Sequence, residues 1–194
     1  MVIFSVNPSG NGSIKGLFPR CLIANVADIG AAPVTVEGLC PIHVFWENGK
    51  IINIDLIRNY DETAQKILLP RLLEPHTHLD KAFSWESFPN LIGSYSGALE
   101  ANLKEHQFRT PGLVRFRAEK ALNLAVRNGL RSIRSHVDSF GSSGEQSWKV
   151  LNDIKLEWKN WIELQCVALV PLDFWSSEEG VPLARQVASQ GGLL

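Results

Sequence analysis

The chain has 194 residues, 45% of them apolar and 20% charged, with a formal net charge of −1 and six tryptophans, the composition of an ordinary water-soluble globular chain. It has no lysine and arginine block that could neutralise a run of phosphates, so no nucleic-acid partner is expected; Arg115, Arg117, Lys120 and Arg127 read as one solvated helix face. The opening Met1-Val2-Ile3-Phe4-Ser5-Val6 lacks the basic start of a secretory signal, and no run nears the roughly 20 apolar residues that span a bilayer, so a cytoplasmic protein without a membrane partner is expected.

Residues 1–14 are rich in Ser, Asn, Gly and Pro without periodicity, which predicts a mobile terminus. Over residues 15–66, short apolar runs broken by Gly, Pro and Asn-Gly predict a small antiparallel β module. Glu47-Asn48-Gly49-Lys50 is its clearest signal, because Asn-Gly between β-prone runs favours a type I′ turn; a hairpin pairing residues 43–46 with 51–54 follows. Cys21, Cys40 and Cys166 are odd in number and widely spaced with no C-x-x-C, so neither a disulfide framework nor a structural zinc knot is predicted.

Residues 67–79 form an apolar run ending in Glu74-Pro75-His76-Thr77-His78-Leu79-Asp80-Lys81. If that run is one extended strand, His76 and His78 project from the same face and can reach one ion. Imidazole suits zinc, iron, nickel and copper alike, so the pair marks a site without choosing the metal, and a bare H-x-H also arises by chance. After Lys81, a segment to Arg109 carrying Phe83, Trp85, Phe88 and Tyr95 reads as a long loop. Its aromatics either line a pocket for a flat ring, with Trp85 a substrate-binding candidate, or simply pack the loop down. Thr110-Pro111 opens a helix with Leu113, Phe116, Ala121, Leu124 and Val126 at helical spacing, closed by Gly129. A strand to Asp138, a Gly-Ser loop, a helix over residues 146–159, a strand to Pro171 and a helix over residues 181–190 follow, an alternation that predicts a parallel sheet.

Pro75-His76-Thr77-His78-Leu79-Asp80-Lys81 at the end of a strand resembles the amidohydrolase superfamily, and its Leu-Asp-Lys continuation is similar to the cytosine-deaminase-like branch. Asn128-Gly129-Leu130-Arg131-Ser132-Ile133-Arg134-Ser135-His136-Val137-Asp138 resembles that branch's second strand, and residues 162–171 its third. The resemblance implies an α/β fold, with residues 67–194 the N-terminal half of a (β/α)8 TIM-type barrel and residues 15–66 part of a flanking β-sandwich. It further implies a divalent metal, zinc or iron, held first by His76 and His78, and hydrolytic removal of an amino group from a nucleobase or related ring amine. His136 and Asp138 fall on one strand face at the catalytic end, either as active-site groups or as a buried hydrogen-bonded pair. Asp80 and Lys81 follow the ligands directly; Asp80 either orients a histidine or caps the loop. Where the branch places Phe-Pro-Gln to read a pyrimidine, this chain has Val170-Pro171-Leu172-Asp173, which weakens cytosine as the substrate and leaves Asp173 as the polar substrate-binding candidate there.

A complete barrel takes about 250 residues, and Gln190-Gly191-Gly192-Leu193-Leu194 resembles the start of a fourth strand. The family's two further histidines, its aspartate ligand and its acid/base glutamate are expected beyond residue 194. Two readings stay open: a deaminase completed by self-association or by a complementing C-terminal half, and a truncated remnant, inactive or used as a scaffold.

Overall fold

The computed structural model describes residues 10–24, 34–59 and 66–194. The chain divides into two compact units, Met1–Pro70 and Arg71–Leu194. No helix among the described residues is long and apolar enough to cross a membrane.

The first unit is a three-stranded antiparallel sheet, β1 (Gly12–Pro19), β2 (Leu39–Glu47) and β3 (Lys50–Leu56), in the order β1-β2-β3. The Asn-Gly turn forms as expected: Asn48 and Gly49 have φ of 50° and 72°, the left-handed values a type I′ turn requires. Glu47 pairs with Lys50, Trp46 with Ile51 and Val44 with Ile54, with a bulge between Phe45 and Trp46. Residues 1–9 of the expected mobile terminus lie outside the described residues, but Gly12, Ser13 and Ile14 are already in β1. Gly12 pairs with Trp46, whose indole lies 2.5 Å from where a Cβ would stand, so the strand begins where only glycine fits.

The expected single strand over residues 67–79 is two pieces. Ile67 makes an isolated parallel bridge to Leu17 in the first unit, and the strand proper, β4, is Leu72–Thr77 in the second. Pro70 lies between them, and a residue with no N–H cannot continue a ladder.

The second unit holds β4, β5 (Leu130–Asp138) and β6 (Glu163–Leu169) as a parallel sheet in that order. A parallel Leu193–Val167 bridge adds the start of a fourth position beside β6. Among the described residues this sheet is open, and no closed barrel is seen. Helix α1 (Tyr95–Phe108) occupies the C-terminal half of what was expected to be a loop. It starts where the Ser94 hydroxyl accepts from the Gly97 N–H at 3.1 Å, an N-cap that satisfies one free amide of the first turn. Helix α2 (Pro111–Arg127) has the expected Thr110 cap, accepting from Leu113 N–H at 3.3 Å, and Gly129 follows with φ of 83°. Helix α3 (Gly141–Trp158) begins five residues before the expected start, and α4 is Gly180–Ser189.

The core lies between the sheet and α2 and α3. Val114, Ala118 and Leu122 of α2 meet Trp148, Leu151 and Ile154 of α3 and Ile133, Val137, Leu164 and Cys166 of the strands, all buried. Each fully buried large aliphatic side chain stabilises the fold by roughly 1.5–3 kcal/mol. The buried stripe of α2 is not the expected one: Phe116 and Leu124 are exposed, and Arg117 is buried rather than solvated.

Candidate active site

Strands of a parallel sheet end together, so the C-terminal ends of β4 and β5 bring His76, His78, His136 and Asp138 to one rim. Two side-chain bonds fix that rim. Thr77 Oγ1 donates to the Arg134 carbonyl at 3.1 Å, and the buried Ser135 hydroxyl accepts from the Leu79 N–H at 3.0 Å. His78 lies just past β4, with φ −133° and ψ 86°, heading a short 3-10 turn over Leu79–Lys81.

The three imidazoles cluster. The His76 and His78 ring centroids are 5.2 Å apart, and His136 stacks on His76 at 4.0 Å with 21° between planes. His78 Nδ1 donates to the His136 carbonyl at 2.8 Å, which fixes the tautomer and leaves Nε2 with its lone pair. Burial, and then the nearby Lys81 ammonium, hold the His78 pKa below the usual imidazole value. Burial and the neighbouring His76 do the same to His136. Both rings therefore favour the neutral form that can act as a ligand.

Asp138 does not pair with His136. Lys81 Nζ donates to both of its carboxylate oxygens, at 2.9 and 3.0 Å, and Arg109 Nη2 donates to Oδ2 at 3.0 Å. Burial alone would raise the Asp138 pKa, but these two cations outweigh it and hold the carboxyl below its ordinary value. Asp80 neither orients a histidine nor caps the loop. Fully buried, its Oδ2 accepts from Arg109 Nη1 at 2.9 Å and from the Asp138 N–H at 3.1 Å. Burial pushes its pKa up to about 6, against the pull of Arg109.

The network runs deeper than the motif. Glu105 of α1 accepts from Arg109 Nε at 3.0 Å and from Arg117 Nη1 of α2. Three carboxylates and three cations thus lock the two helices to the strand ends, and Glu105, Arg109 and Arg117 were absent from the expected site. The available signals were the i, i+4 spacing of Glu105 and Arg109 and the position of Arg117 among apolar residues of α2.

Beside His78 lies a cavity of about 570 Å³ walled by Lys81, Trp85, Phe88, Tyr95 and Asn102, with Leu169 at the end of β6. That is within the usual range for a small-molecule site. Trp85, Phe88 and Tyr95 line it; Phe83, at φ 59°, instead lies under the Lys120 ammonium, 4.2 Å from its ring centroid. Asp173 is exposed in a 3-10 turn after β6, and neither it nor Leu172 is among the residues lining the cavity.

No protein-family model matches the chain. By sequence it is 38% identical over 127 residues to a pterin deaminase of Rhizobium rhizogenes, an alignment covering 64% of this chain and 29% of that protein. The chain therefore spans less than a third of the length of this curated relative. Among solved structures, 5-methylcytosine deaminase from Klebsiella pneumoniae, liganded with 5-fluorocytosine, superposes with a TM-score of 0.70 at 22% identity, covering 93% of this chain and 42% of that one. N-isopropylammelide isopropylaminohydrolase from Burkholderia multivorans gives 0.57 at 22% identity, covering 78% and 40%. At such identities the structural likeness shows the fold. The resemblance carried by the two histidine motifs is thus joined by an aligned sequence and by a shared fold: over the part of their length that it spans, the chain is similar in sequence to a pterin deaminase and in fold to a 5-methylcytosine deaminase.

Proposed function

We propose that this chain is the N-terminal part of a metal-dependent hydrolase that releases ammonia from a ring amine, a pterin, cytosine or related nucleobase. The observation that carries the reading is the rim of three imidazoles beside an aromatic-walled cavity. Residues 67–194 are read as half of a (β/α)8 barrel and the first unit as part of the flanking sandwich.

The residues fit a divalent ion, zinc or iron, in part. His76 and His78 would hold it: His78 has its Nε2 free, and the buried Nδ1 of His136 has no hydrogen-bond partner among the described residues. When bound, such an ion supplies Lewis acidity and a lowered water pKa. Yet no group of three or more His, Cys, Asp or Glu side chains among the described residues is arranged to hold a metal, and a catalytic zinc normally has three protein ligands. The remaining ligands and the acid/base group would come from a complementing C-terminal half or a second copy. The chain's own share of the work is to hold His78 in one tautomer, seat the ring in the cavity and screen it from water.

A second reading is a scaffold without catalysis, favoured by the lack of a three-residue metal-holding group among the described residues. Metal analysis and ammonia release from pterin and cytosine separate the two. A deaminase part binds zinc or iron, alone or with the complementing half, and loses it in the His76→Ala/His78→Ala variant. Metal retained by that variant would overturn the ligand assignment, and protein without metal or ammonia release in either form would favour the scaffold.

A further inference from the structure

We propose that Glu74 is the positioning residue of the histidine rim: its carboxylate holds a one-residue bulge at Pro75-His76 that turns the His76 imidazole to the side of the sheet where His136 stands. That His76 then serves as a metal ligand rests on the deaminase reading. The pairing of β4 with β5 carries the inference. Glu74 is paired with Ile133 and Thr77 with Ser135, so β4 has two residues, Pro75 and His76, where β5 has Arg134 alone. Paired residues of a ladder project to the same side of the sheet, and successive residues alternate. Ile133 and Val137 belong to the core that packs on α2 and α3, and Ser135 between them is buried; Arg134 and His136 therefore project from the opposite side. Glu74 shares the side of Ile133, and two steps of regular strand would carry His76 to that side as well. The extra residue reverses the alternation, and the His76 ring lies stacked on His136, 4.0 Å between centroids.

The bulge has two chemical causes in the sequence. Pro75 has no N–H and so asks for no ladder partner at the point where the count slips. A bulge also takes an amide out of the ladder, and such an amide must find another acceptor. Glu74 Oε1 accepts the His76 N–H at 3.0 Å. The carboxylate thereby fixes the backbone of the residue whose ring must be aimed, from two positions away on the same strand. An amide oxygen in its place can accept the same N–H; an alkyl side chain cannot.

The test compares the purified chain with Glu74→Gln, which keeps an acceptor oxygen, and Glu74→Ala, which removes it, with folding checked by near-UV circular dichroism. Three quantities are measured: the nuclear Overhauser contact between the His76 and His136 rings, hydrogen exchange at the His76 amide, and zinc affinity by calorimetry. The wild type and Glu74→Gln are expected to show the ring contact and a protected amide. Glu74→Ala is expected to lose both and to bind zinc about tenfold more weakly, while amide protection of β5 and β6 stays as in the wild type. Ring contact that survives in a folded Glu74→Ala variant, or that is lost in a folded Glu74→Gln variant, overturns the inference. If Glu74→Ala does not fold, the wild-type amide decides, and exchange there at the unprotected rate overturns it. Zinc bound by none of the three proteins counts against the deaminase reading, while the ring contact, which needs no metal, still decides the role of Glu74.

Discussion

Replacing Arg109 by methionine keeps much of the side-chain volume and removes the guanidinium shared by three buried carboxylates. The side chains of Arg109, Asp80, Glu105 and Asp138 are 1%, 0%, 2% and 3% exposed. In the variant, Lys81 still pairs with Asp138 and Arg117 with Glu105, so Asp80 is the group left without a cation. Stranding one buried charge costs about 3–5 kcal/mol, and in a chain of this size each kcal/mol moves Tm by about 2–4 °C. A fall of roughly 6–20 °C is therefore expected at pH 7.5, read from the near-UV signal of buried Trp148 in the Arg71–Leu194 unit. The loss is pH-dependent with a definite sign. The Asp80 pKa is already raised to about 6 from 3.8, and losing Arg109 raises it further. A carboxyl with a raised folded pKa binds its proton more tightly folded than unfolded, so its penalty grows as pH climbs through the folded value. The deficit should accordingly shrink at pH 5. A loss under about 1 kcal/mol at pH 7.5, or the same loss at both pH values, refutes the argument.

Three further outcomes follow from single positions. Gly49→Val forces a β-branched residue into φ of 72° and should cost about 1–2 kcal/mol, seen as lost amide protection across the β2–β3 hairpin. Gly144→Ala places a methyl 2.8 Å from the Ser139 backbone carbon and 3.0 Å from the Asp138 carbonyl. Backbone cannot give way as a side chain would, so a loss of about 1–3 kcal/mol in urea denaturation is expected, and a neutral result would show that the start of α3 shifts freely. Burial pushes the Cys166 thiol up to about 12, whereas Cys21 is exposed; iodoacetamide at pH 8 should alkylate Cys21 in the native protein and reach Cys166 only after denaturation, as mass spectrometry would show.

The features legible in the sequence were those with short-range chemistry. Asn48-Gly49 set its turn through backbone sterics alone, Thr110-Pro111 capped its helix, and the strand and helix alternation gave the parallel sheet. His76, His78 and His136 come together because parallel strands end on one rim, which the alternation already implied. Charge burial was not legible. Arg117 looked like a surface residue because composition cannot show that Glu105, 12 residues earlier and in none of the motifs, would meet it in the core; only the packing of α1 on α2 creates that pair. Helix α1 was missed because its apolar residues do not gather on one face, leaving the Ser94 cap as its strongest signal. Pro70 was the overlooked stop that divides residues 67–79.

The connections of the parallel sheet differ in length, and this bears on the order in which the protein assembles. The chain passes from Asp138 to Glu163 through one helix, but from Thr77 to Leu130 through two, roughly twice the contour. Loop-closure entropy adds about 0.6 kcal/mol for each doubling, so pairing of β5 with β6 comes more readily than pairing of β4 with β5. The strand carrying His76 is thereby the later arrival, and pulsed hydrogen exchange during refolding should find β5 and β6 protected before it. Every imidazole contact at the rim then waits on the longest closure in the sheet, so whatever binds there acts on the last step of folding.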